Sequence, residues 1–244
     1  MVKTNFVVTK DGIKICYDHY QKGFRKLVII TPGFFNSRKA ALLQELGQTL
    51  SDQYDVLLMD FRGHGKSGGL FYWTSKEYMD LEAVLEYARQ EYEKIGVVGF
   101  SLGAATSLIT ASKIDLMNSL ISISAPVDFK KIEYHFWELD FENDIVYNLG
   151  EGKMGKGIRP GPWWLKKDKP IDCVGKILCP VFYIHGEKDW LIKPWHSEEL
   201  YKKTNSEKRL AIIKNGPHAE YLLRGNKNKK EIIPLIKEWF YNTL

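Results

Sequence analysis

The chain has 244 residues, of which 44% are hydrophobic, and its formal net charge at pH 7 is +5. A chain of this length buries roughly three quarters of its unfolded surface in one domain, so it needs neither disulfides nor a second domain for stability. The charge is small and the lysines are dispersed, which argues against a nucleic-acid partner. The lysine-rich runs at 166–169 and 227–230 are interpreted as solvated surface.

The cysteines and the hydropathy pattern indicate a cellular compartment. Cys16, Cys173 and Cys179 leave an odd thiol in any pairing and lack metal-ligand spacing, which is typical of a reducing environment. No stretch approaches the roughly 18 apolar residues of a membrane helix, and the first residues lack the apolar core of a secretory signal. The sequence therefore predicts a cytoplasmic protein with no metal, no organic cofactor and no stable membrane insertion. It leaves the oligomeric state open.

Taken in chain order, the first predicted element is a β-hairpin with strands at 6–9 and 13–17. Its turn contains Asp11-Gly12, a pair that favours positive φ. Apolar runs then alternate with helical stretches, near 26–31, 54–60, 95–99, 119–124, 180–185 and 209–213. Because continuously apolar strands belong in a sheet covered on both faces, we expect an α/β fold with a mostly parallel central sheet and helices on each side.

Two helices carry recognisable sequence signals. Thr74 followed by Glu77 predicts a capping box at the start of the first. The apolar face of this helix is formed by Tyr78, Leu81, Val84, Leu85 and Ala88. A closing helix presents Ile232, Ile233, Ile236, Trp239 and Phe240.

The alternation of strands and helices stops between Asp128 and Ile177. A segment of some fifty residues without a clear parallel strand is too long to be a simple loop between two elements of a compact domain. The sequence therefore predicts a cap at 128–177, inserted after the sixth strand into a core domain of residues 1–127 and 178–244. Its aromatic rings either form the cap's own small core or line an apolar acyl or aryl pocket. The predicted substrate-binding residues are Phe34, Phe136, Trp137, Trp163, Trp164 and Trp190.

A candidate nucleophile lies where an apolar strand turns abruptly into a helix. Ser101 is the central residue of Gly99-Phe100-Ser101-Leu102-Gly103, which follows a buried run and precedes an alanine-rich stretch. Such a turn forces the serine into a strained conformation, and the flanking glycines avoid collisions with the neighbouring strand and helix. The pattern therefore predicts that Ser101 is a nucleophile.

A serine hydroxyl is a poor nucleophile at neutral pH, so a histidine base and an orienting acid are required. Asp189 lies in a glycine turn after the strand near 180–185, and His218 lies in the loop after the strand near 209–213. The chain order Ser, Asp, His is the one that this architecture demands. Asp128 is an alternative acid, because it lies just past the strand that ends at Ser124. The histidines less suited to be the base are His64, His185 and His196.

These three motifs, each after a strand, resemble the α/β-hydrolase superfamily, in particular its capped esterases and lysophospholipase-like members. The resemblance implies that the loop after the strand near 26–31 supplies one oxyanion-hole amide, from Phe34, and that Leu102 supplies the second. The segment 60–67, Asp-Phe-Arg-Gly-His-Gly-Lys-Ser, resembles the family's D-x-R-G-H-G-x-S loop. The chain departs from the family at Thr31-Pro32, where a histidine usually precedes the glycine.

The resemblance implies a serine hydrolase that cleaves carboxylic esters of small to medium, apolar acyl or aryl substrates through an acyl-enzyme, with a small-molecule ester as its partner. The same triad would serve a thioesterase, an amidase or peptidase, or an acyltransferase, and these alternatives stay open. A non-catalytic ligand-binding protein on the same fold is the alternative from another class. Since the unperturbed pKa of histidine is about 6.5, activity is expected to fall below that pH.

Overall fold

A single eight-stranded sheet forms the centre of the molecule in the computed structural model, which describes residues 2–133 and 158–244. The strands are β1 (Val2–Val8), β2 (Lys14–Tyr20), β3 (Lys26–Thr31), β4 (Asp55–Met59), β5 (Lys94–Phe100), β6 (Ser119–Ile123), β7 (Val181–Gly186) and β8 (Lys208–Ile213). Their spatial order is β1-β2-β4-β3-β5-β6-β7-β8. The β1–β2 and β2–β4 pairs are antiparallel and all the others are parallel, which confirms the predicted mostly parallel sheet.

Helices cover both faces of the sheet. They are α1 (Ala41–Leu50), α2 (Tyr78–Ala88), α3 (Leu102–Lys113), α4 (Pro170–Cys173), α5 (Trp195–Lys203) and α6 (Asn226–Thr243). One buried cluster joins the sheet to α2, α3 and α5, and a second joins the opposite face to α1 and α6. In β3, Leu27 and Ile29 enter the first cluster while Val28 and Ile30 enter the second, as the alternating side chains of a strand require. Residues 27–30 of this strand are all apolar because both of its faces are buried.

The parallel register brings the carboxyl ends of the central strands to one edge. Thr31 of β3 lies opposite Gly99 of β5, and Phe100 lies opposite Ile123 of β6. In the same way, Gly186 at the end of β7 lies opposite Ile213 at the end of β8. The loops that follow these strands therefore meet above the same edge of the sheet, where ligands bind in open α/β folds.

The start of α2 differs from the sequence prediction. Thr74 has a φ of 74° and lies outside the helix, which begins at Tyr78 with Glu77 as its N-cap residue. The Glu77 carboxylate accepts a hydrogen bond from the Tyr72 amide at 2.6 Å. The predicted capping box is wrong, because Glu77 binds the backbone of the preceding turn instead of reaching back to Thr74.

The predicted cap, 128–177, is described at 128–133 and 158–177. Residues 158–161 run beside the loop that contains the D-x-R-G-H-G-x-S motif: the Arg159 amide donates to the Gly63 carbonyl and the Phe71 amide donates to the Arg159 carbonyl, both at 2.8 Å. The Arg159 guanidinium also donates to the Ser67 carbonyl. The cap itself stays a prediction, and Phe136 and Trp137 lie outside the described residues.

The three thiols are free and none is activated by its surroundings. Burial raises the pKa of Cys16 to about 11 and that of Cys179 to about 12, and it also raises the pKa of Cys173. Thiolates are the reactive form of cysteine, so these side chains serve packing. Among the helices in the described part of the chain, none has the length and apolar character needed to cross a membrane.

Candidate active site

The turn from β5 to α3 holds Ser101 in a conformation that few residues adopt. Its φ is 49° and its ψ is −110°, and its amide donates to the Ile123 carbonyl at 2.8 Å. A Cβ on Gly99 would lie 2.7 Å from the Ala104 backbone, and one on Gly103 would lie 2.4 Å from the Thr31 carbonyl oxygen. Both glycines are therefore required by close backbone approaches, as the sequence pattern predicts.

Ser101 lies in a hydrogen-bonded row with two residues that are distant in sequence. Its Oγ is 3.1 Å from His218 Nε2, and His218 Nδ1 is 2.7 Å from Asp189 Oδ2. Because a carboxylate only accepts, Nδ1 carries the proton and Nε2 is left to accept from the serine hydroxyl. All three side chains are buried. The structure thus brings together the three residues that the sequence singled out.

The Asp189 carboxylate is saturated with donors. Oδ1 accepts from the amides of Leu191 and Ile192, at 3.0 and 2.8 Å, while Oδ2 lies near His218 and also near His185. Burial alone would raise the pKa of Asp189, but the adjacent His218 and the bonds from His185 and His218 outweigh it and hold this pKa below its usual value. The carboxylate is therefore ionised at neutral pH and aligned by fixed donors.

His185, which the sequence indicated only as a histidine less suited to be the base, contacts the site through Asp189. Its Nε2 lies 2.6 Å from the Ile192 carbonyl oxygen and 3.2 Å from Asp189 Oδ2, so this nitrogen carries a proton. Its Nδ1 is 2.7 Å from Ser197 Oγ. The signal was present, since His185 ends the apolar run predicted near 180–185, four residues before Asp189, but position alone does not reveal the hydrogen bond.

Asp128, the alternative acid, has other partners. Its side chain accepts from the Lys130 amide at 2.9 Å and forms an ion pair with Lys169 at 3.0 Å. The structure therefore brings Asp189, and not Asp128, into hydrogen-bond contact with His218. Within the described ranges, no group of three or more His, Cys, Asp or Glu side chains is arranged to hold a metal ion.

The β3–α1 loop, residues 32–40, passes beside the serine turn. Its start is tied to α3, because Thr31 Oγ1 lies 3.2 Å from Ser107 Oγ, which in turn donates to the Gly103 carbonyl. Across residues 2–133 and 158–244, the amides of Phe34 and Leu102 donate no hydrogen bond to a protein acceptor. Their part as the two oxyanion donors stays a prediction.

Ion pairs hold the other end of this loop. The Arg38 amide donates to Asp60 Oδ1 at 2.7 Å, and its buried guanidinium also binds Asp60 and Asp18. Asp60 begins the D-x-R-G-H-G-x-S segment, whose Ser67 hydroxyl donates to the Asp60 carbonyl at 2.7 Å. A Cβ on Gly65 would lie 2.2 Å from Asp60 Oδ2, so the glycine lets the motif close around the carboxylate. This segment anchors the β3–α1 loop.

Aromatic rings surround Phe34. The ring centroids of Phe35, Phe71 and Trp73 lie 4.3, 5.4 and 5.8 Å from that of Phe34. The His64 ring lies 6.3 Å away and its Nδ1 donates to the Arg62 carbonyl at 3.1 Å. Burial lowers the pKa of His64 to about 4, so this ring is neutral at physiological pH. Phe71 and Trp73 are not among the predicted substrate-binding residues, since neither belongs to a motif.

The other predicted substrate-binding residues differ in their surroundings. Trp190 is half-buried and directly follows Asp189. Trp163 and Trp164 form an edge-to-face pair and are 67% and 70% exposed. Phe136 and Trp137 belong to the undescribed part of the cap. A role in substrate binding stays a prediction for each of these side chains.

Comparisons with known proteins agree with this architecture. A family model described as the alpha/beta hydrolase fold matches residues 26–144. Among curated proteins, YqkD of Bacillus subtilis, an uncharacterised protein, is 27% identical over 204 residues, which cover 78% of this chain and 63% of YqkD. The human serine hydrolase BPHL is 21% identical over 244 residues, covering 90% of this chain and 81% of BPHL. The chain thus spans less than two thirds of YqkD.

Solved structures of esterases share the fold. The Pyrococcus furiosus esterase Pf2001 superposes with a TM-score of 0.80 at 23% identity, over 100% of this chain and 91% of that one. Est1E of Butyrivibrio proteoclasticus, in a structure with ferulic acid bound, gives 0.74 at 21% identity over 98% of each chain. At these identities the likeness concerns the fold alone. With the family match to residues 26–144 and the sheet topology, it shows that the chain has the α/β-hydrolase fold and resembles esterases of that fold.

Proposed function

We propose that the protein is a serine hydrolase that cleaves carboxylic esters of small to medium, apolar acyl or aryl substrates through an acyl-enzyme intermediate. The observation that carries the proposal is the hydrogen-bonded row of Ser101, His218 and Asp189, with 3.1 and 2.7 Å between successive polar atoms. A serine held in a strained turn, a base that accepts its proton and an ionised acid behind the base are the parts that acyl transfer requires.

In the acylation step, His218 Nε2 takes the Ser101 proton as Oγ attacks the ester carbonyl carbon. The carbonyl oxygen becomes an oxyanion, and the amides of Phe34 and Leu102 are the proposed donors to it. Asp189 stabilises the imidazolium without taking its proton. When the tetrahedral intermediate collapses, the bond to the alkoxy oxygen breaks and the leaving alcohol receives the proton from Nε2.

In the deacylation step, water occupies the place of the alcohol. His218 Nε2 removes a proton from the water as its oxygen attacks the acyl carbon, and the same two amides receive the second oxyanion. Collapse of this intermediate breaks the bond to Ser101 Oγ, which recovers its proton from Nε2. The products are a carboxylic acid and the free enzyme, so the cycle needs no further reactant.

The apolar character of the substrate is supported by the rings around Phe34. An aromatic or aliphatic group that replaces water against the exposed ring of Phe35 and the half-buried ring of Trp73 gains hydrophobic contact. That Est1E has been found with ferulic acid bound favours including aryl esters among the substrates tested.

Replacement of Ser101 tests the proposal directly. We expect Ser101→Ala to lower ester turnover by about 10⁵ to 10⁶, by analogy with triad knockouts in serine enzymes. The measurement is kcat/KM on p-nitrophenyl esters of graded acyl length, together with labelling by a fluorophosphonate probe and peptide mapping of the modified serine. Phenyl thioesters and p-nitroanilides in the same panel separate ester hydrolysis from thioester and amide cleavage.

Ser122→Ala is the matched control. Ser122 is a fully buried serine of the neighbouring strand β6. Its replacement is expected to leave turnover and labelling unchanged. A wild-type protein that neither hydrolyses the esters nor reacts with the probe would refute the proposal and favour a ligand-binding protein.

A further inference from the structure

The β3–α1 loop keeps its shape without the histidine that usually precedes the glycine in this family. Pro32 occupies that position here, and Thr31 ties the start of the loop to α3 through Ser107. Phe35 has a φ of 64°, a conformation that non-glycine residues adopt only when their surroundings impose it. Something beyond Thr31 must therefore hold the segment around Phe34.

The contact that follows Phe35 is a buried hydrogen bond. The Asn36 side-chain amide donates to Glu220 Oε1, across 184 positions of sequence, and both residues are buried. The Asn36 backbone amide donates to the Gly33 carbonyl at 3.2 Å, which closes the turn that contains Phe34. Glu220 thereby fixes the residue that closes this turn.

Glu220 also belongs to the segment that carries the histidine. It lies two residues after His218, beyond Ala219, whose amide donates to Ser124 Oγ at 3.1 Å. A Cβ placed on Gly33 would lie 3.3 Å from Glu220 Oε2 and 3.5 Å from Ser101 Cβ. The carboxylate and the serine therefore flank the same side of the loop at Gly33.

From these contacts we infer that Asn36 and Glu220 are positioning residues that couple the β3–α1 loop to the histidine segment and fix the Phe34 amide relative to His218 and Ser101. The inference rests on the proposed function. Neither side chain is assigned a part in bond breaking. Their task is to keep the oxyanion donor in place when the carbonyl oxygen becomes negative, which is the moment at which donor geometry matters most.

An isosteric substitution tests the inference. Asn36→Asp keeps the shape but sets two carboxyl groups against each other, so the hydrogen bond is lost where both are ionised, and kcat is compared at alkaline pH, where the pair no longer shares a proton. We expect kcat to fall by about 10²-fold to 10³-fold, as on loss of an oxyanion donor, while KM changes less than about threefold because the ground-state carbonyl needs that donor less. The affinity for phenylboronic acid, which forms a tetrahedral adduct on serine, should fall in parallel.

Exchanging the two groups provides a rescue. In Asn36→Asp combined with Glu220→Gln, the Gln amide can donate to the Asp carboxylate, so the pair is restored with its polarity reversed. We expect the double variant to recover at least tenfold in kcat over Asn36→Asp. Glu220→Gln alone is measured as well, because a double-mutant cycle needs both single variants.

Asn118→Ala is the matched structural control. Asn118 Oδ1 accepts from the Ile95 amide at 2.9 Å, next to the start of β5 and so at the opposite edge of the sheet. Its loss should lower the melting temperature while kcat and boronate affinity stay unchanged. If Asn36→Asp behaved in the same way, with a lower melting temperature but normal kcat and boronate affinity, the inference would be overturned while Ser101-dependent hydrolysis stood. A wild-type protein without Ser101-dependent turnover would overturn both.

Discussion

Asp189 is held by more bonds than its contact with His218 requires. Two backbone amides fix one oxygen, while His185 and His218 share the other. These additional hydrogen bonds orient the Asp189 carboxylate against His218, and they keep this carboxylate ionised although it is buried. The orientation of the His218 ring therefore depends on the turn after β7 as much as on the histidine loop.

Asp189→Asn is expected to lower kcat by about 10⁴ without unfolding the protein, because an amide in place of the carboxylate favours the wrong histidine tautomer. The check is kcat on a p-nitrophenyl ester and the melting temperature of the same sample. Asp128→Asn serves as the comparison, since Asp128 pairs with Lys169 instead. Equal losses in the two variants would contradict the assignment of Asp189 as the acid.

The residues of the row could be found from sequence because each follows a strand and belongs to a local pattern. Asn36 and Glu220 could not, since their bond joins positions 184 residues apart and neither has a characteristic spacing. The same holds for His185, whose importance lies in a contact with Asp189 that a strand-end position does not specify. Pairwise contacts across the sheet edge are visible only once the fold is known.

At the scale of elements, the loops of the site are held where two backbone segments lie so close together that only glycine fits between them. A Cβ on Gly186, the last residue of β7, would lie 2.1 Å from the Pro217 carbonyl oxygen. The end of β7 and the loop before His218 thus touch through their backbones. The position of the base is set by this contact as well as by Asp189.

Gly186→Ala is expected to displace the His218 loop and lower kcat by about 10²-fold, the scale of loss for a shift of about 1 Å at a catalytic group. Overpacking should also reduce the free energy of unfolding by about 1–3 kcal/mol. Gly175→Ala is the matched control, because its nearest neighbour would be 3.5 Å away. The assays are kcat and urea unfolding, and an unchanged kcat in Gly186→Ala would contradict the coupling.

The buried strands could be predicted from sequence because both faces of β3 to β7 are covered, so their residues are mostly apolar, with Ser122 of β6 as a buried polar exception. The start of α2 could not be predicted from sequence. A serine, threonine or aspartate followed three residues later by glutamate also occurs where the glutamate binds a turn, as Glu77 binds the Tyr72 amide. A local sequence pattern can indicate a capping box at the start of a helix, but tertiary contacts determine whether that capping box forms.

At the scale of the whole molecule, buried neutral histidines link folding to pH. Burial lowers the pKa of His64 to about 4, and burial with the neighbouring His185 lowers that of His196 to about 4. The unfolded chain takes up these protons near pH 6.5, so between pH 6.5 and 4 it binds more protons than the folded chain. The contribution of these two histidines to stability is therefore lost as the pH falls through this window.

We expect each of these histidines to lower the free energy of unfolding by up to about 3 kcal/mol between pH 7 and pH 4. Urea unfolding at pH 7, 6, 5 and 4 measures the loss. His64→Gln isolates one contribution, because the variant lacks the titrating ring and should show a smaller loss than the wild type. Parallel curves for the two proteins would contradict a neutral, buried His64.

The position of β8 has a consequence for how the protein would lose activity. This strand lies at the end of the sheet and most of its residues are half-buried, yet the loop that follows it carries His218. Outer strands fray more readily than central ones, so amide hydrogens of β8 should exchange with solvent faster than those of β5. Gentle heating is then expected to abolish the proposed hydrolysis by displacing His218 while Ser101 remains on an intact central strand.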